Sequence, residues 1–293
     1  MTTSRGRALV TGLGGFTGRY MAAALERAGY EVAGLSSAGR RVDLLDARAV
    51  QDAVLAVCPD VVVHLAGISF VAHNDAEALY QVNILGTRNL LAGLAACPTP
   101  PRSVLLASSA NVYGNAGVET LDESTLVAPA NDYAVSKLAM EYMARLWLDR
   151  LPIVISRPFN YSGVGQSESF LLPKIVGHFR RRAPLIELGN LDVARDFSDV
   201  RVVAMLYQKL LESGVPGEVY NICSGKTHNL TQVLKRMEEM AGYEIEVRVN
   251  PAYVRSNEVR RLQGSRRKLD ATVGTFEMIP LEDTLRWMYE ADT

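Results

Sequence analysis

The chain has 293 residues, which is long for a single compact core and short for two independent domains. Its 31 Lys and Arg residues nearly balance 32 Asp and Glu residues, so no basic field favours nucleic acid or an anionic membrane. Three widely spaced cysteines are typical of a reducing compartment. No apolar run reaches the roughly 18 residues of a membrane span, and the N-terminal sequence does not resemble a leader. We therefore expect a cytoplasmic protein that lacks a metal, a nucleic-acid partner and a membrane span.

Short apolar runs alternate with helical patterns through the first half of the chain. The runs RALVTG, YEVAGL, DVVVHLAG, SVLLASS and PIVISRP are rich in Val, Leu and Ile, as strands buried on both faces should be. Apolar periodicity predicts helices over residues 16–28, 47–57, 76–95 and 133–148. Such alternation is typical of an α/β fold with a doubly wound parallel sheet of the Rossmann type.

A glycine-rich turn follows the first predicted strand directly. In TGLGGFTG, Gly12, Gly15 and Gly18 have the spacing G-x-x-G-x-x-G, and a helix begins within the motif. The unpaired N–H groups and positive dipole at the start of that helix suit a diphosphate, provided that no side chain blocks its approach. In this context we predict a dinucleotide site in preference to a plain tight turn.

The end of the second strand bears on which dinucleotide binds. An acidic residue at this position would hydrogen-bond the adenosine ribose of NAD, but Ser36 stands there. Arg40 and Arg41 follow closely and would suit a 2′-phosphate, so NADP is favoured and NAD stays possible. The alternative is that both arginines are simply solvated. Asp43 could hydrogen-bond adenine, or it could cap the helix that begins near Asp46.

A tyrosine and a lysine in NDYAVSKLAMEY lie one helical turn apart. Tyr133 and Lys137 share a face of the predicted helix, a spacing that also occurs by chance on solvent-exposed helices. Ser109 ends the strand SVLLASS that precedes this helix. Because ligands of open α/β sheets bind beyond the carboxyl ends of the strands, these three side chains can converge on one substrate carbon.

Six motifs in this order resemble the extended short-chain dehydrogenase/reductase family that acts on nucleotide sugars: TGLGGFTG, HLAG, VNILGT, SSANVYG, YAVSK and RPFN. The resemblance implies that Tyr133 is the general acid/base and that Lys137 lowers its pKa and binds the nicotinamide ribose. It implies that Ser109 holds the substrate oxygen, where charge develops during hydride transfer.

The resemblance and the motifs together give two sets of binding residues. The expected cofactor-binding residues are Gly12, Gly15, Phe16, Thr17, Gly18, Ser36, Arg40, Asp43, Leu44, Leu65, Ala66, Gly67, Asn83, Lys137 and Arg157. The expected substrate-binding residues are Ser69, Asn111, Tyr133, Asn160, Ser169, Phe170, Arg195, Arg255 and Arg260. We expect residues 1–160 to form the dinucleotide-binding domain and residues 161–293 mainly a smaller α/β lobe for the nucleotide sugar, with 195–226 returning to the first domain.

Residues after the family serine separate the possible reactions. The family's 4,6-dehydratases carry Asp-Glu there, and its fucose-synthase-like members carry a cysteine in the second position; this chain has Ala110 and Asn111. The resemblance therefore implies NAD(P)H-dependent reduction at C4 of a nucleotide-linked 4-keto-6-deoxyhexose, with GDP-4-keto-6-deoxymannose first. The alternatives are a C4-epimerase of a nucleotide hexose such as dTDP-rhamnose that holds NAD tightly, and a binding protein that has lost catalysis.

The resemblance also implies a homodimer in which helices 76–95 and 133–148 of two subunits pair. These helices carry a set of large apolar residues: Leu79, Leu90, Leu91, Met140, Met143 and Trp147. The alternative is that these side chains pack on the chain's own sheet.

Overall fold

The computed structural model describes residues 5–37, 40–69, 75–253 and 260–291. Its strands are β1 (Arg7–Thr11), β2 (Glu31–Gly34), β3 (Ser36–Ser37), β4 (Arg40–Arg41), β5 (Val61–His64), β6 (Ser103–Ala107), β7 (Ile153–Pro158), β8 (Asn160–Ser162), β9 (Leu185–Leu188), β10 (Ala194–Asp199), β11 (Val219–Ile222), β12 (Thr227–Asn229), β13 (Glu246–Val249) and β14 (Arg261–Leu262). Its α-helices are α1 (Phe16–Arg27), α2 (Ala47–Val57), α3 (Ala76–Tyr80), α4 (Thr87–Ala95), α5 (Asp132–Arg145), α6 (Leu171–Arg180), α7 (Val200–Ser213), α8 (Leu230–Ala241), α9 (Arg267–Val273) and α10 (Leu281–Glu290).

Six of the described strands form one parallel sheet in the order β11-β7-β6-β5-β1-β2. From β1 the chain moves outward to β2 and then returns to β5 on the other side of β1, so the strand order reverses between β1 and β5. A crevice opens at such a reversal, at the carboxyl ends of the strands, and this is where open α/β sheets bind ligands. The predicted doubly wound parallel fold is confirmed.

Helices cover both faces of this sheet. Helices α1 and α7 pack on one face, where Met21, Leu206 and Tyr207 are fully buried. Helices α2, α4 and α5 cover the other face. Of the large apolar residues considered above for a dimer interface, five belong to the core on this second side: Leu90, Leu91 and Met140 are buried there, and Met143 and Trp147 are partly buried. Leu79 is also buried. Their principal role in the structure is therefore packing within the subunit.

Local sequence explains where α5 begins and ends. The side chain of Asn131 accepts a hydrogen bond from the Ala134 backbone nitrogen at 2.9 Å and caps the helix, and Asp132 adds a negative charge to its first turn. Arg145 places a positive charge in the last turn. These signals fix the helical phase, and with it the common face of Tyr133 and Lys137.

The helix predicted over residues 76–95 is interrupted. Between α3 and α4 the chain makes a π-helical turn at Gln81–Gly86. Gly86 lies close to Leu44: a Cβ atom added to Gly86 would come within 2.9 Å of the Leu44 Cβ. The widened turn also brings Asn83 inward, where its side chain bonds the backbone of Ile68. Such π turns occur frequently at functional sites.

A smaller lobe is built around helices α6, α8 and α10 and the parallel pair β9–β13, with its own apolar core. A second sheet of β12, β10 and β14, with β8 also paired to β10, lies between this lobe and the strand ends of the main sheet. After β10 the chain returns to the main domain through α7 and β11. No helix in the described part of the chain is long and apolar enough to cross a membrane.

Candidate active site

A cleft with a volume of about 580 Å³ opens at the carboxyl edge of the main sheet. Its walls come from the glycine turn, the segments after β5 and β6, the first turns of α5 and the segment after β7. The predicted site residues that line it are Gly12, Gly15, Phe16, Thr17, Gly18, Leu65, Gly67, Ser69, Ser109, Asn111, Tyr133, Lys137, Asn160 and Phe170. The expected convergence of the glycine turn with the tyrosine–lysine pair is therefore present in one cavity.

The glycine turn requires its glycines for steric reasons. Gly12 has a φ of 73°, and a Cβ there would lie 3.0 Å from the backbone nitrogen of Ala66. A Cβ on Gly18 would fall 2.2 Å from the Gly12 carbonyl oxygen and 2.5 Å from that of Leu13. Helix α1 starts at Gly15 without a side-chain cap and without an acidic residue in its first turn. Its first N–H groups thus suit the diphosphate of a dinucleotide.

Ser109 and Tyr133 meet across the cleft. The Ser109 side chain is hydrogen-bonded to the Tyr133 phenol. The serine hydroxyl also accepts from the Asn111 backbone nitrogen at 3.2 Å and caps a short 3₁₀ turn, Ala110–Tyr113. This second bond fixes the serine rotamer, so its oxygen stays beside the phenol.

Lys137 is anchored at the end of β6. Its ammonium donates to the Ala107 carbonyl at 2.9 Å and lies 6.0 Å from the centre of the Tyr133 ring. Burial raises the pKa of Tyr133 to about 12, and the bond with Ser109 only partly opposes this rise. Burial is thus the largest effect on the phenol, and the lowering of the Tyr133 pKa by Lys137 stays a prediction. Burial also lowers the pKa of Lys137 to about 8.

A buried histidine lies beneath the glycine turn. His64 hydrogen-bonds Thr11 through Nδ1 at 2.7 Å and Thr87 through Nε2 at 2.8 Å. Because the Thr87 hydroxyl donates to the Asn83 carbonyl, it must accept from His64, so Nε2 of the imidazole carries a proton. Burial and the Lys137 ammonium lower the pKa of His64 to about 3. With both ring nitrogens bonded to buried threonines, His64 is a structural residue of the core beneath the glycine turn.

Asn83 supports the cleft from behind. Its amide exchanges two hydrogen bonds with the backbone of Ile68, at 3.0 and 3.2 Å, and donates to the Ser136 hydroxyl at 3.0 Å. A Cβ on Gly67 would lie 2.8 Å from the Asn83 side-chain oxygen. Asn83 therefore clamps the segment after β5 against α5 and leaves its backbone to line the cavity.

The region proposed for the adenosine end is a small antiparallel pair in which Ser36 of β3 lies opposite Arg41 of β4. The side chain of Arg40 lies outside the described part of the structure. Asp43 accepts from the Leu45 backbone nitrogen at 3.0 Å, and Asp46, not Asp43, caps α2. Of the two roles considered for Asp43, capping is thus excluded.

Arg157 does not line the cleft. It is buried and forms a bidentate ion pair with Glu141, with distances of 3.0 and 2.7 Å, and its guanidinium lies 4.9 Å from the centre of the Tyr113 ring. Leu44 and Ala66 also lie outside the cavity wall and pack within the core. These three predicted cofactor-binding residues support the site through the residues that they contact.

The structure gathers the predicted substrate residues less completely. Ser169 is exposed and its hydroxyl faces Ser167, which lines the cleft in its place. Arg195 donates to the carbonyls of Ala194 and Arg260 at 3.1 and 3.2 Å. Arg260 lines a separate recess of about 330 Å³ beside the loop that contains Gly114. Arg255 lies outside the described residues.

Sequence reasoning missed several residues of the cavity wall. Among them, Tyr161 follows the RPFN motif and accepts or donates a bond to Thr17 at 2.9 Å, while Gln166 bonds Ser162 at 2.7 Å. No local pattern marks these positions, because they reach the glycine turn only through the placement of β8 beside it. Ile68, Ala107 and Phe159 also line the wall as apolar residues indistinguishable in sequence from the core.

The fold and the cleft are those of a dinucleotide-dependent enzyme, and comparison with known proteins gives the family. The NAD dependent epimerase/dehydratase family model matches residues 8–223, and the chain belongs to this family. The family membership expected from the six motifs is confirmed.

Individual relatives align over nearly the whole chain. GDP-6-deoxy-D-mannose reductase of Pseudomonas aeruginosa is 36% identical, with 96% of this chain and 95% of the relative covered. GDP-6-deoxy-D-talose 4-dehydrogenase of Aggregatibacter actinomycetemcomitans is 33% identical, with 96% of each covered. The solved structure of RMD from Pseudomonas aeruginosa complexed with NADPH has a TM-score of 0.87 at 34% identity over 97% of each chain. A solved protein from Burkholderia cenocepacia J2315 has a TM-score of 0.92 at 53% identity over 98% of each chain.

Proposed function

We propose that the protein reduces the C4 ketone of a GDP-linked 4-keto-6-deoxyhexose, with NADPH as the hydride donor. The observation that carries this proposal is the single cleft in which the glycine turn, Ser109, Tyr133 and Lys137 meet. The two relatives named for GDP-6-deoxyhexoses support the substrate class, since both align over more than nine-tenths of the chain. Ala110 and Asn111 after the serine supply neither the acid nor the base that loss of water would need.

In this reaction the bound cofactor supplies a hydride to C4 of the sugar. Ser109 holds the ketone oxygen by a hydrogen bond and stabilises the negative charge that develops on it. Tyr133, whose raised pKa keeps its proton at neutral pH, donates that proton to the oxygen and completes the alcohol. The Lys137 ammonium then stabilises the phenolate until a solvent proton replaces the one transferred.

The glycine turn fits the diphosphate of the cofactor, because no side chain caps the first N–H groups of α1 and no acidic residue stands in its first turn. We favour NADP over NAD because Ser36 occupies the position where an acid would exclude a 2′-phosphate, and because Arg41 lies opposite it. The double variant Arg40→Ala with Arg41→Ala should weaken NADPH binding by about tenfold and leave NADH binding unchanged. Equal losses for both cofactors would contradict the assignment.

The product is open to two stereochemical outcomes. The sugars in the names of the two relatives, 6-deoxymannose and 6-deoxytalose, differ in configuration at C4. Reduction of one 4-keto sugar from either face would give one or the other. We infer the 6-deoxymannose product first, as in the relative with the higher identity.

The test is NADPH oxidation by the purified protein with GDP-4-keto-6-deoxymannose and, separately, with a dTDP-4-keto-6-deoxyhexose. Consumption with the GDP sugar alone, with the C4 configuration of the product determined by NMR, would establish both the nucleotide and the stereochemistry. No consumption with either, together with NAD released from the denatured protein, would instead favour the C4-epimerase.

We also propose that the protein is a cytoplasmic homodimer. Four large apolar side chains are exposed on the two segments expected to pair in the dimer, residues 76–95 and 133–148. They are Leu85, Val135, Tyr142 and Leu146, with exposed fractions of 51%, 38%, 61% and 78%. Tyr142→Glu with Leu146→Glu should give a monomer by light scattering, whereas Leu126→Glu, at a residue that is 86% exposed on a loop, should not.

Free thiols at all three cysteines agree with a reducing compartment, and fractionation of cells would test the cytoplasmic location.

A further inference from the structure

We propose that Glu141 is a positioning residue for this reaction: its buried carboxylate keeps Lys137 charged and holds the ends of β6 and β7 in register with α5. The inference rests on the proposed function for the reaction that it serves. Glu141 does not line the cleft, and no motif singled it out.

One carboxylate joins three elements of the site. Glu141 lies on α5, one turn beyond Lys137, and is 2% exposed. Its Oε1 accepts from the Ser108 hydroxyl at 2.5 Å and from Arg157 Nε at 3.0 Å, and its Oε2 accepts from Arg157 Nη2 at 2.7 Å.

These bonds end next to residues of the cleft wall. Ser108 precedes Ser109 at the end of β6, so the bond to Glu141 fixes the strand end that carries the substrate-binding hydroxyl. Arg157 precedes Pro158 at the end of β7, and Pro158 lines the cavity. Tyr133 and Lys137 lie on the same helix as Glu141. The carboxylate thus fixes the relative position of all three catalytic side chains.

The same carboxylate acts on the charge of Lys137. Burial favours the neutral amine and lowers the pKa of Lys137, and Glu141 opposes that effect. In the described part of the chain, the other titratable or charged groups beside Lys137 or Glu141 are Tyr133 on α5, His64 on β5 and Arg157 on β7. At neutral pH the phenol and the imidazole are uncharged and Arg157 is a cation, so none of them can replace Glu141 as an anion.

A purely structural role of the Glu141–Arg157 ion pair predicts a different result from the role proposed here. Removing either partner of a buried pair leaves one uncompensated charge and destabilises the protein. The loss of stability therefore cannot separate a structural from an electrostatic role. The titration of Lys137 can, because only the loss of the carboxylate removes the group that keeps the lysine protonated.

Three variants make the test: Glu141→Gln, Arg157→Gln and the double variant. The double variant removes both charges, leaves no lone buried ion, and should fold even if a single variant does not. The pKa of Lys137 is measured by competitive acetylation with acetic anhydride from about pH 6 to about pH 10, read by peptide mass spectrometry, with exposed Lys235 as internal reference. The alkaline limb of kcat/KM for reduction is measured in parallel.

We expect Glu141→Gln and the double variant to lower the pKa of Lys137, and the alkaline limb with it, by about one pH unit. At pH 9 this corresponds to activity about tenfold lower than that of the wild type. Arg157→Gln keeps the carboxylate, so the pKa of Lys137 should stay unchanged or rise. An unchanged Lys137 pKa in Glu141→Gln, or an equal fall in Arg157→Gln, would overturn the inference.

The acetylation measurement needs no substrate. If the wild type reduces neither sugar, the proposed function fails while the titration of Lys137 still decides the role of Glu141. If the wild type reduces the GDP sugar and the pKa of Lys137 is the same in Glu141→Gln as in the wild type, only the proposed role of Glu141 is contradicted.

Discussion

The cofactor side and the substrate side of the cleft are built differently. On the cofactor side, the glycine turn, His64 and Lys137 are held by short bonds between neighbouring strands and helices of the main sheet. On the substrate side, the wall comes from β8, the loop after it and Leu262 of β14. The first region is determined by short sequence motifs and parallel strand ends, and the second by segments that are far apart in the chain.

The difference explains how residues of the two sides respond to substitution. A group on the cofactor side has close backbone neighbours that cannot move, so a small change should have a large effect. Arg195, a predicted substrate-binding residue outside the cleft wall, contacts the carbonyls of Ala194 and Arg260, and its loss should affect one ligand only. Four measurements test this contrast.

The largest effect should follow Tyr133→Phe. Removing the proton donor should lower kcat for reduction by about a thousandfold, with NADPH affinity retained, as measured by cofactor fluorescence. Tyr161→Phe is the matched control, because Tyr161 also lines the cleft but hydrogen-bonds Thr17. Comparable losses in the two variants would remove the special role of Tyr133.

The glycine turn offers a matched pair. Gly18→Ala would place a methyl group against the carbonyls of Gly12 and Leu13, whereas a Cβ on Gly14 meets nothing within 4 Å. We expect Gly18→Ala to lower the free energy of unfolding by about 3 kcal/mol and to weaken NADPH binding. Gly14→Ala should resemble the wild type in urea denaturation and in titration with NADPH. If both variants behave alike, steric closeness is not what selects glycine here.

His64 predicts an acid dependence of stability. Its pKa is lowered to about 3 in the folded protein from an ordinary value of about 6.5, so below pH 6.5 the unfolded chain binds the proton first and stability falls. Between pH 8 and pH 5 this group alone should remove about 2 kcal/mol. The test is urea denaturation of the wild type and of His64→Gln at pH 8 and at pH 5. Between these pH values the free energy of unfolding should fall less in His64→Gln than in the wild type, by the share that His64 contributes. A fall of the same size in the variant would show that other groups cause it.

The smallest effect should appear on the substrate side. If Arg195 binds the nucleotide diphosphate, Arg195→Met should raise KM for the GDP sugar by about tenfold and leave NADPH affinity unchanged. Arg181→Met is the control, since Arg181 pairs with Glu168 on the surface. An unchanged KM would show that Arg195 does not bind the nucleotide diphosphate, and the recess beside Arg260 would be the next region to test.

The sequence by itself determined the parallel sheet, the glycine turn and the shared face of Tyr133 and Lys137. Each depends on local information: apolar runs, a glycine spacing of three, and a helical spacing of four behind the Asn131 cap. Only the tertiary structure decided that Arg157 pairs with Glu141, that Asn83 in a π turn clamps the segment after β5, and that Tyr161 and Ser167 line the cleft. The physical reason is that a buried polar group is defined by the partner that satisfies it, and here that partner comes from another element of the fold.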